Sequence, residues 1–151
     1  EAVVRGFGNM YKIPYTILRF ATVYGPGMNE STGISIFTNQ ALAGEPITVH
    51  GNGKQTRTLT FLPDLLLAIE QIIELNIQHE TINLSAQEEI SALEMAMLIK
   101  ELTQSDAPII HIDQRPGQTF RERISTEKAE VLLGWRAKTK FQEGLKRTIN
   151  F

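Results

Sequence analysis

The pattern of apolar and polar positions divides the chain into short segments whose period switches between helical and extended. Over residues 1–11, Ala2, Val3, Phe7 and Met10 fall roughly on one face of a helix. Two glycines make that helix weak in isolation, so it needs a surface to pack on. Tyr15 to Phe20 is an apolar, β-favouring run broken late by Arg19 and closed by Gly25-Pro26-Gly27, which predicts a buried strand delivering its carboxyl end to a loop. Residues 31–46, STGISIFTNQALAGEP, predict a helix closed by Gly44 and Pro46. ITVHG and RTLTF are β-prone pieces that GNGKQTR, residues 51–57, joins as a hairpin-like turn. The clearest helix follows at 63–76: Pro63 suits its first position, Asp64 its positive end, and Leu66, Ile69, Ile72 and Ile73 keep an apolar face.

The second half alternates in the same way. TINLS predicts a strand, and Ser91 with Glu94 three residues on is a capping box opening the helix of residues 91–103. APIIHID predicts another strand, RPGQTFRERIS has turn chemistry and then no clear period, and short helices follow over 126–133 and 141–149. Strands separated by helices imply an α/β layer arrangement. No internal repeat or linker divides the chain, and the strand, glycine loop and helix that open a dinucleotide-binding unit are missing from it.

Composition narrows the function classes. The chain has 151 residues, a net charge of -2 and no long basic run, which gives no electrostatic footprint for nucleic acid. It has no cysteine, so disulfides and thiolate sites are excluded, and no apolar run approaches the ~20 residues of a membrane span. A cytoplasmic location is the expectation from composition alone. The chain begins at Glu1 and opens inside a helical pattern, from which residues upstream are expected.

The side chains favour binding over catalysis. Arg19 ends a strand, Arg57 follows a glycine turn and Arg115 precedes Pro-Gly; each could form an ordinary ion pair, or they could share an anionic ligand through bidentate forks. His50 closes a strand just before Gly51, where it could hydrogen-bond or stack on a ring, while His79 and His111 read as structural. No metal-ligand spacing is present, so no metal site is expected. Asn52 and Lys54 flank Gly53 and read as turn residues; no nucleophile with a local base is visible, and Asp64 and Glu70 have no evident partner.

Taken in order, IPYTILRFATVYGPG, ALAGEPITVHGNGKQTR, LLGW and FQEGLKRTI resemble the carboxyl-terminal half of the extended short-chain dehydrogenase/reductases, the NAD-dependent nucleotide-sugar epimerases, dehydratases and decarboxylases. The resemblance spans essentially the whole chain. It implies a partial α/β fold: the last strands of a Rossmann-like sheet, from 1–28 and parts of 60–90, plus the smaller substrate-binding domain. It also implies NAD as cofactor, a UDP- or dTDP-sugar as substrate, and a homodimer packed through the helix of residues 1–11. The family's glycine-rich NAD loop and its Tyr-x-x-x-Lys acid/base pair are not in this sequence, and Glu1 falls where relatives place a glutamate four residues after that lysine. No catalytic residue is therefore expected in this chain, which would be inactive alone. A non-catalytic relative that keeps the fold is the alternative.

Carried over position by position, the resemblance implies substrate contacts at Thr22, Thr48, His50, Arg57 and Arg115, with Tyr24, Gly25 and Pro26 on the cofactor side. Thr22 stands where relatives usually have an asparagine; Thr48 and His50 match positions cradling the nucleotide base, and Arg57 and Arg115 those gripping the diphosphate. The chain departs from the family at Thr58, Pro63, Gln118 and Ser125, which replace aspartates, and at Ser85 and Gln87, which replace glycines.

Overall fold

The computed structural model describes residues 1–150 and resolves the alternating pattern into three small sheets that share no strand. The chain opens with α1 (Ala2–Tyr11), which stops at Lys12 in a left-handed conformation. β1 (Thr16–Phe20) then pairs in parallel with β5 (Glu80–Leu84), from Thr16 opposite Glu80 to Phe20 opposite Leu84. Their covering helices are α3 (Leu62–Glu74) and α5 (Glu127–Leu133), and the core between them is built from Leu65, Ala68, Ile72, Ile82, Leu84, Ala129, Leu133 and Trp135. Each large aliphatic side chain withdrawn from water there contributes about 2 kcal/mol.

Asp64 does more than occupy the positive end of α3. Its side chain is buried, accepting the main-chain N–H of Lys138 (3.0 Å) and Thr139 (2.8 Å) and the Thr139 hydroxyl (3.0 Å). Its carbonyl accepts the Trp135 indole N–H at 2.9 Å. The partners that the sequence left unseen lie more than 70 residues further along the chain, and they tie the segment after α5 onto the start of α3.

The second core lies around a mixed sheet in the order β2 (Thr22–Tyr24), β4 (Thr56–Phe61), β6 (Glu89–Ser91), with β2 and β4 parallel and β4 and β6 antiparallel. It packs with α2 (Gly33–Ala43), α4 (Ala92–Leu102) and α6 (Phe141–Ile149) through Tyr24, Phe37, Phe61, Met95, Ile99, Phe141 and Leu145. The helix ends follow local chemistry: Thr32 caps α2 through the Ser35 N–H, Gly44 ends it in the left-handed region, and Ser91 and Glu94 form the expected capping box.

Three features differ from the sequence expectation. The strand read over Tyr15–Phe20 forms as β1 but is only half-buried, with Arg19 and Phe20 exposed, and after Ala21 a further strand, β2, enters a different sheet. β6 was not expected, since three residues are too few to show a period. The hairpin between ITVHG and RTLTF does not form either. β3 (Ile47–His50) pairs in parallel with β7 (Ile109–Ile112), while β4 lies between β2 and β6. GNGKQTR does turn the chain, with the Lys54 N–H on Asn52 Oδ1 at 3.0 Å. Gly53 has a positive φ of 71° and sits so close to Val49 and Leu93 that a Cβ would meet them at 2.8 and 2.9 Å, so the turn tucks under α4 and its two strands go separate ways. Among the described residues no helix is long and apolar enough to cross a membrane, and no group of three or more His, Asp or Glu residues could hold a metal ion.

Candidate functional site

β3 has only β7 as a partner, so one of its edges is free. Ile47 and Gly51 donate toward the β7 side, to Pro108 O (2.9 Å) and Ile112 O (2.8 Å). By strand alternation the main-chain groups of Thr48 and His50 point to the other edge. There Gln40 of α2 takes the Thr48 N–H on its Oε1 (3.0 Å) and gives its amide to the Thr48 hydroxyl (2.9 Å), and Gln55 donates to the His50 carbonyl at 3.2 Å. The Thr48 carbonyl and the His50 N–H face outward on the same edge.

Between this edge and α2 opens a cleft of about 280 Å³, with an apolar floor that includes Ile34, Phe37, Leu59 and Met95. Thr22, Thr48, His50, Arg57 and Arg115 all line it, together with Gln55 and Gln118. Residues from four separate stretches of sequence, 22, 48–50, 55–57 and 115–118, therefore meet on one surface. Arg57, on β4, gives one terminal N–H to the Thr56 carbonyl (2.7 Å) and has Nε 3.6 Å from a Glu122 carboxylate oxygen. Arg115 comes from the segment after β7, and its Nε donates to His50 Nε2 at 2.9 Å. His50 Nδ1 lies 2.7 Å from the Asp113 carbonyl, a pure acceptor, so Nδ1 carries the ring proton and Nε2 presents its lone pair to Arg115.

The other residues singled out in the sequence lie elsewhere. The Arg19 fork closes on both carboxylate oxygens of Glu1 at 2.7 Å, lowering the Glu1 carboxyl below its ordinary range chiefly through those hydrogen bonds. Tyr24 is 1% exposed, its ring between Phe61 and Phe141 and its hydroxyl 3.4 Å from the Phe141 carbonyl. Burial, reinforced by the Asp64, Glu88 and Glu143 carboxylates, pushes that phenol far above its ordinary value, so it stays neutral. Gly25 belongs to a separate shallow pocket with Gly27, Thr38 and Thr148, and neither Gly25 nor Pro26 lines the main cleft.

Three of the family departures, Thr58, Ser85 and Gln87, are partnered within the fold. Ser85 Oγ lies 3.0 Å from Thr58 Oγ1, and the Gln87 amide donates to Thr126 Oγ1 at 2.6 Å. The Ser85–Thr58 pair stands where the resemblance expects glycine and aspartate and ties the end of β5 to β4, while Gln87 reaches the residue before α5. The sequence reading did not find Gln40, Gln55 or Glu122. Each is a common residue with no motif around it, and its contact depends on the tertiary fold.

The α/β fold is the one that resemblance to the extended short-chain dehydrogenase/reductases implies, and comparison with known proteins bears it out. The family described as GDP-mannose 4,6 dehydratase matches residues 1–148, and the chain belongs to it. The UDP-glucuronic acid decarboxylase 1 of Xenopus tropicalis is 33% identical over 137 residues, which is 89% of this chain and 32% of that protein. The UDP-glucose 4-epimerase of Thermotoga maritima, solved with UDP-glucose, superposes with a TM-score of 0.92 at 28% identity over 99% of this chain and 49% of that one. The UDP-glucuronic acid 4-epimerase of Bacillus cereus, solved with UDP-glucuronic acid and NAD, gives 0.91 at 26% identity over 99% and 48%. The chain thus spans between about a third and a half of the length of these relatives.

Proposed function

We propose that this chain forms the part of an NAD-dependent nucleotide-sugar epimerase, dehydratase or decarboxylase that holds the nucleotide diphosphate of the substrate. The observation that carries this reading is the convergence of Arg57 and Arg115 on one cleft with a free strand edge. Two guanidinium groups supply the charge and forked donors that a diphosphate needs. The Thr48 carbonyl and His50 N–H offer one acceptor and one donor, which complement the N3–H and neighbouring carbonyl of uracil or thymine. Thr22 adds a single hydroxyl where the chain approaches the phosphates. A volume of about 280 Å³ lies just below the roughly 300–1,000 Å³ of small-molecule sites, which suits a nucleotide better than a sugar nucleotide together with a cofactor.

Toward NAD, these residues offer little beyond main-chain atoms of the Gly25–Pro26 turn, because the Tyr24 ring is buried in the core. Bound NAD supplies the hydride acceptor in this chemistry; the residues of this chain orient the diphosphate and leave acid/base work to groups outside it. The UDP-glucose and UDP-glucuronic acid in the two superposed structures favour a UDP-sugar as substrate. The exposed apolar side chains of α1, Val3, Phe7 and Met10, support self-association through that helix.

Calorimetric titration with UDP-, dTDP- and GDP-sugars tests this reading. A UDP- or dTDP-sugar is expected to bind, and Arg57→Ala to weaken it at least tenfold through loss of a charge-assisted contact. Unchanged affinity in Arg57→Ala would refute the assignment.

A further inference from the structure

From the geometry around Arg115 we infer that His50 is a positioning residue: its Nε2 orients the Arg115 guanidinium toward the diphosphate. This rests on the nucleotide reading of the cleft and adds to it a role that resemblance alone does not give, since resemblance places the ring against the base.

Three residues form a directed chain. The Asp113 carbonyl fixes the Nδ1–H tautomer at 2.7 Å, and the opposite ring nitrogen accepts from Arg115 Nε at 2.9 Å. His50 is itself held by the ladder between β3 and β7, where it pairs with Ile112, so the acceptor is mounted on a strand and not on a loop. Arg115, by contrast, is exposed and lies in an irregular segment. A long side chain there samples many rotamers unless something holds it.

The chemical nature of the acceptor matters as much as its place. Arg115 takes part in none of the ion pairs among the described residues. A carboxylate on Nε would orient the guanidinium equally well, but it would cancel the charge a diphosphate is meant to meet. A neutral imidazole nitrogen holds Nε and leaves the positive charge and both terminal nitrogens available. Arg57, with Glu122 3.6 Å from its Nε, is partly compensated; Arg115 is the less compensated of the two arginines in the cleft.

Calorimetry on the full chain with UDP-glucose, and in parallel with uridine, which lacks phosphate, separates positioning from base contact. His50→Phe is expected to weaken UDP-glucose binding about tenfold while barely changing uridine binding. Arg115→Ala should lose a similar amount, with the double variant no weaker than Arg115→Ala alone. His50→Gln, whose carbonyl oxygen can stand in for Nε2, should recover most of the affinity. Equal losses for UDP-glucose and uridine, or additive losses in the double variant, would overturn the inference and put the ring against the base. A second readout needs no ligand: long-range ¹H–¹⁵N spectra of the neutral ring should show the Nδ1–H tautomer, with an Nε2 resonance that moves in Arg115→Ala. An Nε2–H tautomer would overturn the inference. If neither UDP-glucose nor uridine binds the wild-type chain, the nucleotide reading fails, and the tautomer still decides what His50 does.

Discussion

Glu89 grips Arg121 through two parallel hydrogen bonds, from Nε at 2.8 Å and from Nη2 at 2.7 Å. The same carboxylate accepts the Thr56 hydroxyl at 3.1 Å, and the Thr56 N–H reaches the Phe120 carbonyl at 2.9 Å. The segment that carries Arg115 and Gln118 is therefore pinned at both ends, to β4 and β6 through residues 120 and 121 and to β3 through the contact of His50 with Asp113. Glu89→Gln should loosen it: amide exchange over residues 114–120 should accelerate and UDP-sugar affinity should fall a few-fold, with the melting temperature little changed because the pair is solvent-accessible. Arg121 holds the Glu89 carboxyl below its ordinary range, mainly through these hydrogen bonds. A lowered folded-state value means that the contribution is complete above the ordinary carboxylate range and is lost as pH falls through the folded value. Protection of the strap amides, relative to their intrinsic exchange at each pH, should therefore drop as acid titrates Glu89 in the wild type, whereas Glu89→Gln should show no such step. Identical acid profiles in the two proteins would remove Glu89 from this role.

Asp64 offers a sharper stability test, because its carboxylate is buried with three donors on it. Asp64→Ala leaves two main-chain N–H groups and a hydroxyl without that acceptor and should cost about 3 kcal/mol. For a chain of this size the melting temperature should fall by roughly 6–12 °C. Asp64→Asn keeps one acceptor and should lose less. The single tryptophan, Trp135, donates to the Asp64 carbonyl and reports the transition by fluorescence. A loss under about 1 kcal/mol in Asp64→Ala would mean that the 138–139 segment finds other partners.

Helix ends and strand partners differ in how far the sequence reveals them. Gly44, Gly134 and the Ser91–Glu94 box mark helix boundaries because their chemistry is complete within four residues. Strand pairing has no such local signature: β3 finds β7 about 60 residues later, and nothing in GNGKQTR excludes the hairpin that does not form. The cleft shows the same division. Ordered motifs point to Thr22, Thr48, His50, Arg57 and Arg115, which meet on one surface. The contacts that set their chemistry span 65 residues for His50 and Arg115, and for Tyr24 and Phe141 they span 117. Tyr24 stands in a glycine-rich loop motif that suggests accessibility, yet its neighbours Phe61 and Phe141 come from elements whose arrangement only the fold defines.

The outward face of α1 leads to a prediction about assembly. Val3, Phe7 and Met10 are 71%, 57% and 73% exposed, and Ile13 continues the apolar surface past the helix end. Sedimentation of the chain should show concentration-dependent self-association, and Phe7→Glu, by placing a charge in the middle of that face, should shift it toward monomer without changing the far-ultraviolet circular dichroism. A chain that sediments as a monomer with and without the substitution would argue against α1 as a contact surface.

Gly144 lies in α6 directly over the Tyr24 hydroxyl. Alanine is ordinarily the better helix residue by about 1 kcal/mol, so Gly144→Ala would stabilise an exposed helix. Here the added Cβ would run into the Tyr24 Oη and lie 3.1 Å from Phe61 Cδ2. Tyr24 has little room to yield, since Phe61 and Phe141 both stand 5.4 Å from its ring centre. The overlap should outweigh the helix preference and leave Gly144→Ala destabilised by about 2 kcal/mol. Tyr24→Phe removes the obstructing oxygen and gives up only a long 3.4 Å hydrogen bond, so alone it should cost little. The double variant should then be more stable than Gly144→Ala, with a coupling of about 1 kcal/mol or more in a urea double-mutant cycle. Simple additivity would show that the Tyr24 hydroxyl is not what excludes a side chain from this position. The remaining constraints would then be the ring carbon Cζ of residue 24, 2.9 Å from the added Cβ, and Phe61, of which Phe61→Leu in the Gly144→Ala background should relieve the second.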